Sequence, residues 1–84
     1  MRVDKFLKIS RLVKRRTLAK EVCDQGRVKL NQRPCKASSV ISVGDLLSIR
    51  FGQKELTVRV ERLLDSASKE QANSLYHVVS EDII

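Results

Sequence analysis

The chain contains no Trp, one Tyr, two Phe, one His, one Pro and three Gly among its 84 residues. With so few aromatics, base stacking is not the main way this protein would meet a nucleic acid, and the core must be built from Val, Leu and Ile. Such a small aliphatic module has no room for a deep small-molecule pocket. No small-molecule substrate and no cofactor are therefore expected. The single His77 has no Ser, Cys or acid at a spacing that would make a catalytic group, so an enzyme is disfavoured and His77 reads as a strand surface residue. Cys23 and Cys35 lie twelve positions apart without a CxxC pattern, which excludes a zinc site and leaves two reduced core or boundary thiols. No metal is expected. Nor does any apolar run reach the length needed to span a bilayer, and the N-terminus alternates charged and apolar residues, which no signal peptide does. The expectation is a cytoplasmic protein with no membrane contact.

What the chain has in excess is positive charge. There are 17 Lys and Arg against 10 Asp and Glu, a formal net charge of +7. Residues 1–36 carry 12 basic and 3 acidic side chains, a net of +9, whereas residues 37–84 carry 5 and 7, a net of −2. Charge that served solubility alone would be spread over the surface; concentrated in one segment, it marks a face for a polyanion. Composition alone is equally compatible with RNA and duplex DNA.

Eighty-four residues make one domain that buries about 60% of its unfolded surface. From Val3 to Val13 the apolar residues Val3, Phe6, Leu7, Ile9, Leu12 and Val13 follow helical spacing, which predicts a first helix with Asp4 in its opening turn. At about 100° per residue, Lys5, Lys8 and Arg11 would form one basic stripe on it. No acid occurs from position 5 to position 20, so the stripe lacks local i,i+4 partners. Lys14, Arg15, Arg16 and Thr17 would join it to a second helix ending near Gln25, with Thr17 as cap or in the first turn. Gly26 would be its left-handed terminator, and Leu18, Ala19, Val22 and Cys23 its apolar face. Three adjacent cations at a helix N-terminus oppose the macrodipole, which suits a bound phosphate.

After Gly26 the pattern changes to period two. Arg27–Leu30 reads as a short strand, Asn31 and Gln32 as a turn, and Arg33–Lys36 as an irregular edge return containing Pro34. A turn at Ser42–Asp45 launches a strand over Leu46–Phe51 with Leu47, Ile49 and Phe51 on one face. Gly52–Lys54 then makes a hairpin loop into Glu55–Glu61, where Leu56, Val58 and Val60 face inward. Residues 65–73 read as a loop with a short helical turn, Leu75–Val79 as a final edge strand, and Ser80–Ile84 as an acidic tail. Residues 1–64 would thus form the functional module and 65–84 a C-terminal loop, edge strand and tail of the same domain.

Arg2-Val3-Asp4-Lys5-Phe6-Leu7, Ser10 to Thr17, Gly26-Arg27-Val28-Lys29-Leu30-Asn31 and Val43-Gly44-Asp45-Leu46 together resemble the S4-type RNA-binding domain. The match runs in one register from about Arg2 to Phe51. The resemblance implies an α+β fold, with an N-terminal helix pair packed on a small, twisted, mostly antiparallel sheet. It also implies that the helices and the strand after them bind structured RNA. A stand-alone module with DKFLK, SRLVKRRTLAKE and VGDLLSIRFG is similar to the small bacterial S4 proteins of ribosome-associated quality control and, more distantly, to the heat-shock S4 proteins. These imply a monomer bound to stalled large (50S) subunits carrying peptidyl-tRNA, in contact with 23S rRNA and the tRNA. Such a protein would hold the P-site tRNA and support C-terminal alanine tailing by RqcH. The alternatives are recycling of stalled subunits without tailing, or a protein-interaction module on the ribosome that uses Glu55, Glu61 and Asp65.

The residues expected to contact RNA are Arg2, Lys5, Lys8, Arg11, Lys14, Arg15, Arg16, Thr17, Lys20, Arg27 and Lys29. Arg2, Arg15 and Arg16 lead, because guanidinium groups grip phosphates bidentately. Thr17 could donate its hydroxyl. Arg50, Arg59 and Arg62 alternate with acids and read as solvated.

Overall fold

A computed structural model describes residues 1–84. Its first helix, α1 (Val3–Ile9), starts without a side-chain cap at Arg2. The loop at 37–39 supplies acceptors instead: the Val3 N-H donates to the Ser39 carbonyl at 2.8 Å and the Asp4 N-H to the Ala37 carbonyl at 3.2 Å. Half of the helix's opening donors are thereby satisfied by tertiary contact.

The helix stops at Ile9, four residues before the expected Val13. Ser10 caps it, its hydroxyl donates to the Leu7 carbonyl at 3.3 Å, and Arg11 adopts φ 63°. The Val13 N-H then reaches back to the Leu7 carbonyl at 3.0 Å, which brings the Val13 side chain into the core at 4% exposure. Leu12 and Val13 fit helical spacing and a reversing turn equally well, so periodicity could not separate the two.

The second helix, α2 (Arg16–Asp24), ends as expected: Gly26 has φ +72° and the Arg27 N-H closes on the Val22 carbonyl at 3.0 Å. Ala19, Val22 and Cys23 are buried, but Leu18 is 44% exposed and does not belong to the apolar face.

Five strands follow: β1 (Val28–Leu30), β2 (Arg33–Pro34), β3 (Leu46–Phe51), β4 (Lys54–Val60) and β5 (Tyr76–Ile83). They form one antiparallel sheet in the order β2-β1-β3-β4-β5. Asn31 and Gln32, both at positive φ, make the tight β1–β2 turn. Asn31 also accepts from the Leu46 N-H at 2.9 Å and donates to Asp45 at 3.3 Å, tying that turn to the start of β3. A single-turn helix, α3 (Lys69–Ala72), opens on a capping box between Ser68 and Gln71. Pro34 sits on the edge strand, where its missing N-H is harmless.

The expected tail from Ser80 is instead the second half of β5, paired through to Lys54↔Ile83 and continued by the Ile84 N-H to the Gln53 carbonyl at 2.7 Å. Backbone pairing, with a register shift at Thr57/Val58, carries this segment; its side chains show no alternation that a sequence reading could use.

One face of the sheet is covered. Val28, Leu47, Ile49, Val58 and Val60 pack against Val3, Phe6 and Leu7 of α1 and Ala19, Val22 and Cys23 of α2. The strand register turns Lys29, Ser48, Arg50, Glu55, Thr57 and Arg59 to the opposite, open face. Phe51 was expected on the core face beside Ile49 but is 40% exposed, because the helices do not reach that end of the sheet.

Candidate nucleic-acid interface

The helix pair is pinned by one carboxylate. Asp4, 3% exposed, accepts from the Lys5 N-H at 2.8 Å, from Arg2 Nε and Nη2 at 3.2 Å each, and from Arg16 Nη2 at 3.4 Å. Arg2 precedes α1 and Arg16 opens α2, so this residue fixes both helix starts and aims two half-exposed guanidinium groups outward. A guanidinium has five donors, and the two contacts of Arg2 and the one of Arg16 leave most of them for a ligand.

This changes the reading of the junction. Arg16 at the α2 N-terminus is compensated from within the protein by Asp4 and does not need a bound anion to offset the macrodipole. Lys14 and Arg15 are exposed and take part in none of the chain's ion pairs. Thr17 lies in the first turn of α2 without a capping bond. Lys14, Arg15 and Thr17 border one shallow depression with Leu18 and Glu21.

A second depression runs between α2 and the segment after β2, bordered by Arg2, Lys20 and Lys36 with Cys23 and Cys35 on its floor. Lys36, which with Arg27 and Lys29 is expected from the sequence to extend the basic surface beyond the helices, lies beside Arg2 and Lys20. Lys8 and Arg11 flank a smaller hollow with Asp65. The expected Lys5-Lys8-Arg11 stripe is not formed, because Arg11 lies beyond the end of α1 and Lys5 is half-buried and ion-paired to Asp65 at 3.3 Å.

Arg27 and Lys29 also part from the rest. Arg27 follows the C-terminus of α2, and Lys29 pairs with Ser48 on the open face, away from the helices. There they meet Arg50, which sequence alternation had assigned to solvent. The expected eleven residues therefore fall into a helix-side group, Arg2 to Lys20, and a sheet-side pair.

Asp4 makes the first quantitative prediction. Asp4→Ala removes the acceptor shared by Arg2 and Arg16, and because both partners are half-exposed the loss should be about 1–2 kcal/mol rather than that of a fully buried pair. Thermal melts followed by circular dichroism should show this. The same variant should bind RNA more weakly although every cation is retained, which unchanged affinity would contradict.

The thiols make the second. Burial pushes Cys23 up from 9.0 to about 12, with the adjacent Cys35 adding to the shift, and burial also raises Cys35. Both are free, as expected. A thiol whose folded pKa lies above its unfolded value loses protons first in the unfolded chain. Stability should therefore be unaffected below pH 9 and fall as pH rises from 9 towards 12. Iodoacetamide at pH 8, followed by mass spectrometry, should label the half-buried Cys35 before the buried Cys23.

A helix pair held on an antiparallel sheet, with its cations on the helix starts, defines an RNA-binding module of the S4 class. The chain belongs to the S4 domain family, which matches residues 1–47. Over 82 residues it is 56% identical to the RQC P-site tRNA stabilizing factor of Bacillus subtilis, covering 98% of this chain and 95% of the relative. It is 55% identical over 84 residues to the factor of the same name from Halalkalibacterium halodurans, covering 100% and 96%. Among solved structures, the trimeric heat shock protein 15 of Vibrio cholerae superposes with a TM-score of 0.88 at 30% identity, covering 95% of this chain and 82% of that one. No helix is long and apolar enough to cross a membrane.

Proposed function

We propose that this protein binds stalled large ribosomal subunits that carry peptidyl-tRNA, contacts 23S rRNA and the tRNA, and holds the tRNA in the P site. In this role it supports alanine tailing of the nascent chain by RqcH. It acts as a single copy, by binding and not by catalysis. The observation that carries the reading is the Asp4-centred pair of helix starts, which presents Arg2 and Arg16 with Lys14, Arg15, Lys20 and Lys36 around them. Structured RNA offers phosphates and 2′-hydroxyls over a shallow groove read mostly by shape, and rigidly mounted cations suit that surface. The names of the relatives support the ribosomal setting.

Pelleting with purified large subunits tests it. Affinity should fall by about 0.7–0.9 log units per decade of salt for each phosphate neutralised, so six contacts would give a slope of about −4 to −5. A salt-insensitive complex would mean that this face is not the contact. Adding the protein to stalled subunits with RqcH and charged tRNA should raise alanine tailing; binding without any effect on tailing would favour subunit recycling instead.

A further inference from the structure

The open face of the sheet carries a second cluster of cations, separated from the helix starts by the sheet itself. Arg27, Lys29 and Arg50 border one groove at the end of the sheet, together with Glu55 of β4 and Ile83 and Ile84 at the end of β5. The Arg50 N-H donates to the Arg27 carbonyl at 2.9 Å, which fixes the two residues side by side. None of the three takes part in an ion pair; the only side-chain bond is Arg27 Nη1 to Gln25 at 3.4 Å. Arg50 stands directly opposite Glu55 in the β3–β4 register, yet no ion pair closes between them. Glu55 in turn faces Asp82 across β4–β5. Glu55 borders the same groove as the three cations, and Lys54 is paired with Glu81 of β5, so the unpaired cations Arg27, Lys29 and Arg50 stand on the β1–β3 side, where a polyanion would lie.

The floor of that side is low and polar. Lys29, Ser48, Thr57 and Ser80 follow one another across four strands, with Ser48 and Thr57 joined hydroxyl to hydroxyl at 2.9 Å. Short side chains let a backbone approach the sheet closely, and hydroxyls can bond to either phosphate or ribose oxygens. Arg50 lies beyond the residues matched by the S4 family.

We infer that this groove is a second contact for an RNA sugar–phosphate backbone, so that one copy of the protein holds two RNA segments on opposite sides of its sheet. The inference rests on the proposed function for the nature of the partner, and adds where a second segment lies.

The test titrates the ¹⁵N-labelled protein with a synthetic 12-bp RNA duplex at low salt. Amide shifts should move at Lys14–Lys20 and, with a distinct affinity, at Arg27, Lys29, Ser48 and Arg50. Arg50→Glu should weaken the sheet-side response about tenfold or more, since it removes two units of charge, and Glu55→Gln should tighten it about threefold. In a Lys14→Ala/Arg15→Ala variant the sheet-side shifts should persist. Their absence in the native protein, their disappearance in the Lys14/Arg15 variant, or their indifference to Arg50→Glu would overturn the second contact. Sheet-side shifts without any response at the helix starts would overturn the helix-face reading and leave the second contact standing.

Discussion

Changing Lys14, Arg15 and Arg16 together to Ala should weaken binding to large ribosomal subunits by about two to three orders of magnitude near 0.1 M salt, because three phosphate contacts each contribute about 0.7–0.9 log units there. The effect should shrink as salt rises, and the slope of log affinity against log salt should become shallower by about 2–3. The structure divides the expected loss unequally. Lys14 and Arg15 are exposed and unpaired, so their removal should leave the melting temperature nearly unchanged. Arg16 also holds Asp4 at 3.4 Å, so its removal should lower affinity and stability together. Subunit pelleting with each single variant, alongside its melt, separates the two contributions. If Lys14→Ala/Arg15→Ala bound as tightly as the native protein, the junction would be a structural hinge and not an RNA contact.

Phe6→Ala should be the most damaging single substitution to the fold. Phe6 is fully buried on α1 and is the largest such side chain, packed among the residues that join the helix pair to the sheet. Truncating a buried Phe costs about 3–5 kcal/mol, whereas a chain of this length holds about 4–13 kcal/mol in total. The melting midpoint should drop by at least about 12 °C, at roughly 4–8 °C per kcal/mol for a domain of this size. Phe6→Leu, which refills most of the volume, should lose much less. A small shift for Phe6→Ala would show that the helices do not depend on the sheet for their order.

The concentration of positive charge was legible early because electrostatics is written directly into composition. A net of +9 over residues 1–36 needs no coordinates to mark that segment as the one suited to a polyanion. The strands β3 and β4 were equally plain, since their alternation and the Gly52 turn are local signals. Leu18, Phe51 and the length of β5 were not, and each for a tertiary reason. Whether an apolar residue is buried depends on what packs over it, and Leu18 on α2 and Phe51 at the end of β3 are both left uncovered. The Ser80–Ile83 segment is a strand because β4 offers it a backbone edge, which no side-chain pattern announces.

Within the site the division is sharper. Asp4 looked like a helix-start residue that favours the dipole; it is the acceptor that sets two arginines, because the chain reversal after Ile9 brings Arg16 back to it across twelve positions. Lys36 joins Arg2 and Lys20 only once the segment after β2 lies against α2. Lys29, adjacent in sequence to the basic cluster, faces the other way because side chains alternate across a strand, and there it finds Arg50.

By itself, then, the sequence determined the sign and the segment of the charged surface, the two-helix and hairpin elements, and the family motif, all of which depend on composition or on neighbours a few residues apart. Only the tertiary structure decided which cations share a face, which of them are held by carboxylates, and that they divide between two sides of the sheet. Those are properties of distance in space, and the chain sets them through a turn at Arg11, a buried acid at Asp4 and the two-residue period of β1.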